Sequence, residues 1–597
     1  MIRILAQKLT ESEISPYQCG QFVEFIANLV RTMHAEKVFD NSFLGLEPYL
    51  GWFIKHTDFK ENPWYPSGAV HRGEYALDEE NPFNGPVSQK IATIGSDPCD
   101  LGISQDGIFV EEGKQYALSC YLRRQGISGP VRARIARGNE VLASCEFSDV
   151  GGDWSKYSAT LTSSGTDAQA TLRFEFRGPG TLWLDKVSLM PVDNVHGWRP
   201  DVIEAVRVMK PGMIRFGGTA VRKYYEWENG IGDVDHRVPF SSPAAGGLEP
   251  NNVGMNEFIA FCRAVDAEPL ICVRFTTKTP EDAAHQVEYC NGSIDTPYGK
   301  RRAENGHPEP YGVRFWQVGN EVISEEYDRT LIDFCRAMRT ADPTIKLLSS
   351  YPTTGLLESA GELIDYTCPH PYDAEDIEAK EEEVAKFTAI VAEHAPGCDI
   401  KLAYTEWNAY NPGWGTGRGR LWTLDNALKC ARFHNFMHRH ADQIKIAIRS
   451  NLADSFCGGA IQTDNARLFK TPVYYAQSLY GNHAGAYPLK VESAGPLDIS
   501  ATLSRDGKQM TLFVVNDTTD LVSEQIDIGP VGEPEGPVQA WIMGDTQREN
   551  MHDVSNSFDE PERISTERST MECTSNRIVF EFQPLTLTVL QFKLLEP

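Results

Sequence analysis

The chain has 597 residues, room for about four domains at roughly 150 residues each, or fewer if one of them is a long barrel. Hydrophobic residues make up 41% and charged residues 23%, the composition of a folded protein, which excludes wholesale disorder. Lysine and arginine number 56 against 83 aspartates and glutamates, a net charge of −27, so nucleic acid and anionic membrane are poor partners. No apolar run reaches the ~18–20 residues that span a bilayer, and Gln7 and Lys8 interrupt the start before it can form the apolar region of a secretory signal. Thirteen cysteines, scattered without CxxC pairs, read as reduced and mostly buried thiols, and together with that start point to a cytoplasmic protein.

In chain order, residues 1–15 are expected to give a strand that joins a C-terminal domain, and 16–66 to begin a barrel with Cys19–Glu24. Residues 67–192 differ in pattern. Gln115–Leu122, Ala170–Phe176 and Thr181–Asp185 alternate with period two between Gly and Asp turns, which predicts a β-sandwich inserted in the barrel. Residues 193–484 return to short apolar runs that end in polar residues: Met213–Gly218, Leu270–Phe275, Arg314–Glu321, Lys346–Ser350, Asp365–His370, Lys401–Glu406 and Lys445–Asn451. Amphipathic stretches such as Asn256–Val265 and Asp425–His434 separate them at helical spacing. Eight such runs with helices between them predict a (β/α)8 barrel. From 485 to 597 the period is two again, in Asp498–Leu503, Met510–Val515 and Leu585–Phe592, a second sandwich from which Asp545–Arg568 loops out.

Barrel enzymes carry their chemistry at the C-terminal ends of the strands. Here those ends hold Glu24, Arg215, Asn320, Glu321, His370, Tyr372 and Glu406. Glu321 ends the fourth run and Glu406 the seventh, so two carboxylates are expected to face each other across the mouth. One acid that protonates a leaving oxygen and one carboxylate that attacks an anomeric carbon suit glycoside cleavage, with the carboxyl groups about 5–5.5 Å apart if configuration is retained. Cys290 is read as a small buried hydrophobe rather than a nucleophile. No His, Cys or Asp cluster has catalytic metal spacing and no glycine-rich phosphate loop follows a strand, so no metal or cofactor is expected. Trp154 and Trp183 are read as sandwich core, with sugar stacking as the alternative.

At these residues the chain resembles the α-L-arabinofuranosidases of glycoside hydrolase family 51, retaining glycosidases built on a (β/α)8 barrel. Ala35–Phe43, Glu288–Gly292 and Asn305–Tyr311 resemble family segments in order, Trp316–Glu321 its acid/base motif, Thr405–Asn408 its nucleophile motif and Lys470–Tyr475 the run that closes the barrel. Asn81–Gly85 through Trp183–Pro191 looks like the carbohydrate-binding-type sandwich that some members insert.

The resemblance implies that Glu321 is the general acid/base and Glu406 the nucleophile, and that Glu24, Arg215, Asn320 and Tyr372 hold the sugar, with His370 and Lys470 beside them. It implies removal of terminal α-L-arabinofuranosyl units from oligo- or polysaccharides, with a carbohydrate as partner. Glu321 is expected to have a raised pKa, supported by the charge of Glu406. The family typically shows Arg-x-Pro-Gly-Gly-Asn at the second strand, where this chain has Arg215-Phe-Gly-Gly-Thr-Ala220. An ungapped register sets Ala220 at the Asn position, a compensating gap Thr219. In the first register Ala220 is expected to leave space beside the sugar, and Ala220→Asn to narrow specificity. Lys470 stands where the family often has Gln. The alternatives are a retaining glycosidase for another pentoside, a galactofuranoside or a β-glucan, and a non-catalytic sugar-binding protein.

Overall fold

The computed structural model describes residues 1–26, 29–44, 63–242, 247–412, 416–454 and 458–595. Part of the expected first barrel segment, 45–62, and the thirteenth cysteine, Cys457, lie outside them. The other twelve cysteines are free thiols, all buried except the half-buried Cys145 and Cys398.

Eight parallel strands close a barrel: β1 (Gly20–Glu24), β2 (Met213–Gly217), β3 (Glu268–Val273), β4 (Phe315–Val318), β5 (Lys346–Ser349), β6 (Tyr366–Thr367), β7 (Lys401–Trp407) and β8 (Ile444–Arg449). They are apolar on both faces because helices cover the outside and side chains fill the inside. Phe22, Met213, Leu270, Phe315, Leu348, Cys368, Ala403, Ile446 and Ile448 pack the lumen. Alternate residues such as Val23, Ile214, Ile271, Trp316, Leu347 and Tyr404 point outward into the layer shared with the helices. The helix Met255–Ala264 starts where the Glu257 carboxylate accepts the Gly254 N–H at 2.8 Å. The helix Leu424–Arg439 starts on Thr423, whose hydroxyl accepts the Asn426 N–H.

Between β1 and β2 stand two five-stranded antiparallel sheets, with Leu118, Cys120, Leu122, Ile103, Leu172 and Phe174 in the core between them. Their first strand, Trp64–Gly68, begins just before residue 67. The C-terminal domain is a nine-stranded sheet. The N-terminal strand Ile2–Lys8 enters it between Tyr487–Glu492 and Val522–Asp527. The period of two is visible in Gln509–Asn516: Leu512 and Val514 pack inside this domain, while Phe513 and Val515 pack on the barrel layer. The charged stretch Asp545–Arg568 does not simply loop out. Ile564 already begins the strand Ile564–Met571, and Val554, Asn556 and Ile564 are buried. Among the described residues no helix is long and apolar enough to cross a membrane.

Candidate active site

Going up most of the strands from the apolar lumen, the next inward residue is polar: Phe22 is followed by Glu24, Met213 by Arg215, Phe315 by Gln317, Ala403 by Thr405 and Ile448 by Ser450, whereas on β3 Leu270 is followed by the core residue Cys272. Strict alternation would aim Glu406 outward, next to Thr405. The pairing of β7 with β8 shifts by one residue between Tyr404 and Trp407, the extra residue of a β-bulge. With Tyr404 and Trp407 both in the outer layer, Thr405 and Glu406 are left to face the site. Glu321 lies three residues past the end of β4, in a turn where Gly319 has φ 75° and Glu321 itself φ 51°. A non-glycine residue in the left-handed region is uncommon and clusters at functional sites.

Arg215, fully buried, is the hub. It donates from Nη1 to Glu406 Oε1 (2.9 Å), from Nη2 to Asn320 Oδ1 (2.6 Å) and from Nε to Gln317 Oε1 (2.8 Å). Tyr372 donates its hydroxyl to the other Glu406 oxygen at 2.8 Å and lies 3.1 Å from Ser450 Oγ. His370 Nδ1 is 3.1 Å from Glu321 Oε1 and 3.6 Å from Glu406 Oε2, and its Nε2 is 3.1 Å from Thr405 Oγ1. One oxygen of Glu321, one of Glu406 and a nitrogen of His370 all lie within 4.8 Å of one another. Glu406 is 8% exposed and Glu321 35%, so one carboxylate sits at the floor and the other at the rim.

The charges correct one expectation. The hydrogen bond from His370 holds the Glu321 carboxyl below its ordinary value and outweighs the effect of burial. The raised carboxyl is Glu24, pushed to about 8 by burial and then by the charge of Glu406, against the N–H bonds from Thr219 (3.1 Å) and Asn451 (3.2 Å). Folded Glu24 therefore keeps its proton between its ordinary 4.5 and about 8, while the unfolded chain releases it. Its contribution to stability is complete below that window and is lost as pH rises through it. The fall in melting temperature between about pH 5 and about pH 8 should be smaller in Glu24→Gln than in the wild type; an equal fall would contradict this.

Two carboxylates and an imidazole within 4.8 Å also make a set that could hold a cation. The Arg215 guanidinium, 2.9 Å from Glu406, opposes a further positive charge there, and the hydrogen bonds suit proton transfer and nucleophilic attack instead.

Of the residues picked from the sequence, Glu24, Arg215, Asn320, Glu321, His370, Tyr372 and Glu406 come together. Lys470 stands apart: its ammonium lies 5.0 Å from the Tyr474 ring centroid, its carbonyl accepts from Asn556, and among the described residues no hydrogen bond or ion pair ties it to the cluster. Ala220 does not face the sugar position. It is fully buried in the hydrophobic layer behind the barrel, so an Asn there would bury an amide in apolar surroundings rather than narrow specificity. The neighbour Thr219 is exposed and its backbone N–H binds Glu24, which favours the gapped register. Trp183 is buried but outside the sandwich core: it lies on an outer sheet face with its indole N–H on Asp78 (2.5 Å) and Arg123 4.1 Å from its ring. Trp154 lies nearby, half-buried, its N–H on the Asn81 carbonyl. Cys290 is buried with its Sγ 3.0 Å from Met255 Sδ. Sequence reasoning passed over Gln317, Thr405, Ser450 and Asn451. For the first three the signal was present, since each lies two residues beyond an apolar lumen residue.

The model of the α-L-arabinofuranosidase 1 domain matches residues 205–388, and that of the α-L-arabinofuranosidase C-terminal domain matches 405–586. The intracellular exo-α-(1→5)-L-arabinofuranosidase of Acetivibrio thermocellus is 28% identical over 382 residues, 54% of this chain and 76% of that one. The intracellular exo-α-(1→5)-L-arabinofuranosidase 1 of Bacillus subtilis is 25% identical over 468 residues, 68% of this chain and 91% of that one. The arabinose complex of the Thermotoga maritima α-L-arabinofuranosidase superposes with a TM-score of 0.62 at 26% identity, over 67% of this chain and 91% of that chain. An arabinose-bound family 51 α-L-arabinofuranosidase covers 99% of this chain and 100% of its own with a TM-score of 0.84; at 17% identity it shows that the whole arrangement, inserted sandwich included, is shared as a fold. The chain is a glycoside hydrolase and belongs to family 51, the α-L-arabinofuranosidases.

Proposed function

We propose that the chain is a retaining, exo-acting enzyme that removes terminal α-L-arabinofuranosyl units from arabinose-containing oligo- or polysaccharides such as arabinan or arabinoxylan, in the cytoplasm. The observation that carries the mechanism is the placement of a Glu321 and a Glu406 oxygen within 4.8 Å. Retaining enzymes hold their carboxyl groups about 5–5.5 Å apart, whereas inverting enzymes need about 6.5–9.5 Å to admit a water. Glu406, oriented by Arg215 and Tyr372, attacks the anomeric carbon while Glu321 gives a proton to the departing oxygen, leaving an arabinosyl ester on Glu406. His370, its Nδ1 3.1 Å from Glu321 Oε1, holds that carboxyl in place at the rim. Esterification removes the charge of Glu406, which favours ionised Glu321 as the base that takes a proton from the attacking water. The relatives named as intracellular exo-α-(1→5)-L-arabinofuranosidases support the sugar, the exo action and the compartment.

The test is kcat/KM on aryl α-L-arabinofuranosides, xylosides and galactofuranosides. The arabinofuranoside should lead by about tenfold or more: the galactofuranoside carries one carbon more, worth about that much in a fitted pocket, and the xyloside differs in the configuration of its hydroxyls. Clear turnover of another sugar without any on the arabinofuranoside would defeat the substrate reading and leave the retaining mechanism standing.

A further inference from the structure

The long connection between the strands Val538–Asp545 and Ile564–Met571 runs from the C-terminal domain onto the loops of the barrel that follow β7 and β8. Its His552 and Val554 carbonyls accept the N–H groups of Asp425 (2.9 Å) and Leu424 (2.8 Å) at the start of the helix Leu424–Arg439, and Ser555 and Asn556 donate to the Trp422 and Lys470 carbonyls. That helix follows β7, so its N-terminus lies on the mouth side of the barrel. Connections longer than about 12–15 residues without secondary structure are uncommon in compact domains and usually functional. Where this one meets the barrel there is a cleft of about 630 Å³. Arg420, Thr423 and Asp425 line one wall, and His552 and Asp553 of the connection line the other. Pro412 also lines it and is only six residues from Glu406, at most about 20 Å along an extended chain.

The polar groups of this cleft are held in place. Asp425 Oδ2 accepts from Tyr410 Oη (2.8 Å) and Arg420 Nη2 (3.1 Å), Asp425 Oδ1 lies 3.5 Å from His552 Nδ1, and the Arg420 guanidinium sits 3.6 Å from the Tyr410 ring centroid. Arg420 and His552 remain about half exposed, at 53% and 47%, and Asp553 is exposed. Fixed donors on one wall and an exposed carboxylate on the other match vicinal hydroxyls, and charge-assisted bonds to them are stronger than neutral ones. Asp425 and Asp553 set against Arg420 disfavour an anionic ligand.

We propose that this cleft is a leaving-group subsite that binds neutral sugar units of the substrate, and that His552 and Asp553 of the C-terminal domain determine the preference for longer chains. This rests on the function proposed above. The test compares wild type with the double variant His552→Ala/Asp553→Ala, measuring kcat/KM on α-(1→5)-linked arabino-oligosaccharides from the disaccharide to the pentasaccharide and on 4-nitrophenyl α-L-arabinofuranoside. In the wild type kcat/KM should rise with chain length. In the variant the pentasaccharide-to-aryl ratio should fall about tenfold, through KM, at an unchanged melting temperature. A wild type that cleaves the aryl arabinofuranoside, beside a variant that keeps the full chain-length preference or loses both substrates equally, would overturn the subsite alone. A wild type that cleaves no arabinofuranoside would overturn the function and the subsite together.

Discussion

Glu406→Ala should lose turnover on every arabinofuranoside, whatever its leaving group, by about 10⁴-fold or more, since no covalent intermediate can form. The same change takes the partner from Arg215, which is fully buried and holds Glu406 at 2.9 Å. Breaking a buried ion pair from one side costs about 3–5 kcal/mol, so the alanine variant should also melt earlier. Glu406→Gln separates the two effects: its amide oxygen still accepts a hydrogen bond while the nucleophile is gone. Steady-state rates and melting curves of both variants make the check. The glutamine variant should be as inactive as the alanine variant but closer to wild type in stability. Activity of Glu406→Gln within about tenfold of wild type would move the nucleophile elsewhere.

Glu321→Ala should behave differently with each leaving group. On substrates with poorly acidic leaving groups the loss should be about 10²–10⁴-fold, the usual worth of a positioned proton donor. On an aryl arabinofuranoside with an acidic phenol, formation of the glycosyl-enzyme should remain fast, because that leaving group needs little protonation, and the second step should become rate-limiting. Azide should then restore turnover, since it needs no general base, and give the arabinosyl azide of retained configuration. An equal loss on all leaving groups, with no rescue by azide, would remove Glu321 from the acid/base role.

Much of the barrel was legible because its physics is local. A strand buried on both faces is a short apolar run, and the eight runs, Cys19–Glu24 through Lys445–Asn451, coincide with β1 to β8. Where a catalytic-type side chain depends on an irregular backbone, the pattern is silent. Glu406 faces the site through a bulge in β7, and Glu321 through a left-handed turn beyond β4; neither is a feature of hydrophobic period. The ungapped register at Arg215–Ala220 set Ala220 at the Asn position, because a residue count cannot tell that Thr219 stays exposed beside Glu24 while Ala220 turns into the hydrophobic layer. The connection before Ile564 was read from its charge. Composition reports residue types, whereas this segment holds the barrel through the backbone carbonyls of His552 and Val554 as well as the side chains of Ser555 and Asn556, and which groups reach the barrel is not written in the composition. The expected pKa of Glu321 failed for a similar reason: the charge of Glu406 was foreseeable, the hydrogen bond from His370 was not.

The most direct test is to trap the intermediate. Glu321→Ala, mixed with an aryl α-L-arabinofuranoside carrying an acidic phenol, should accumulate an arabinosyl ester that survives acid quenching. Peptide mass mapping should place one added pentosyl unit on the peptide that contains Glu406, and the adduct should disappear when azide is added. A pentosyl unit on another residue, or no adduct while the product appears with inverted configuration, would contradict double displacement through Glu406.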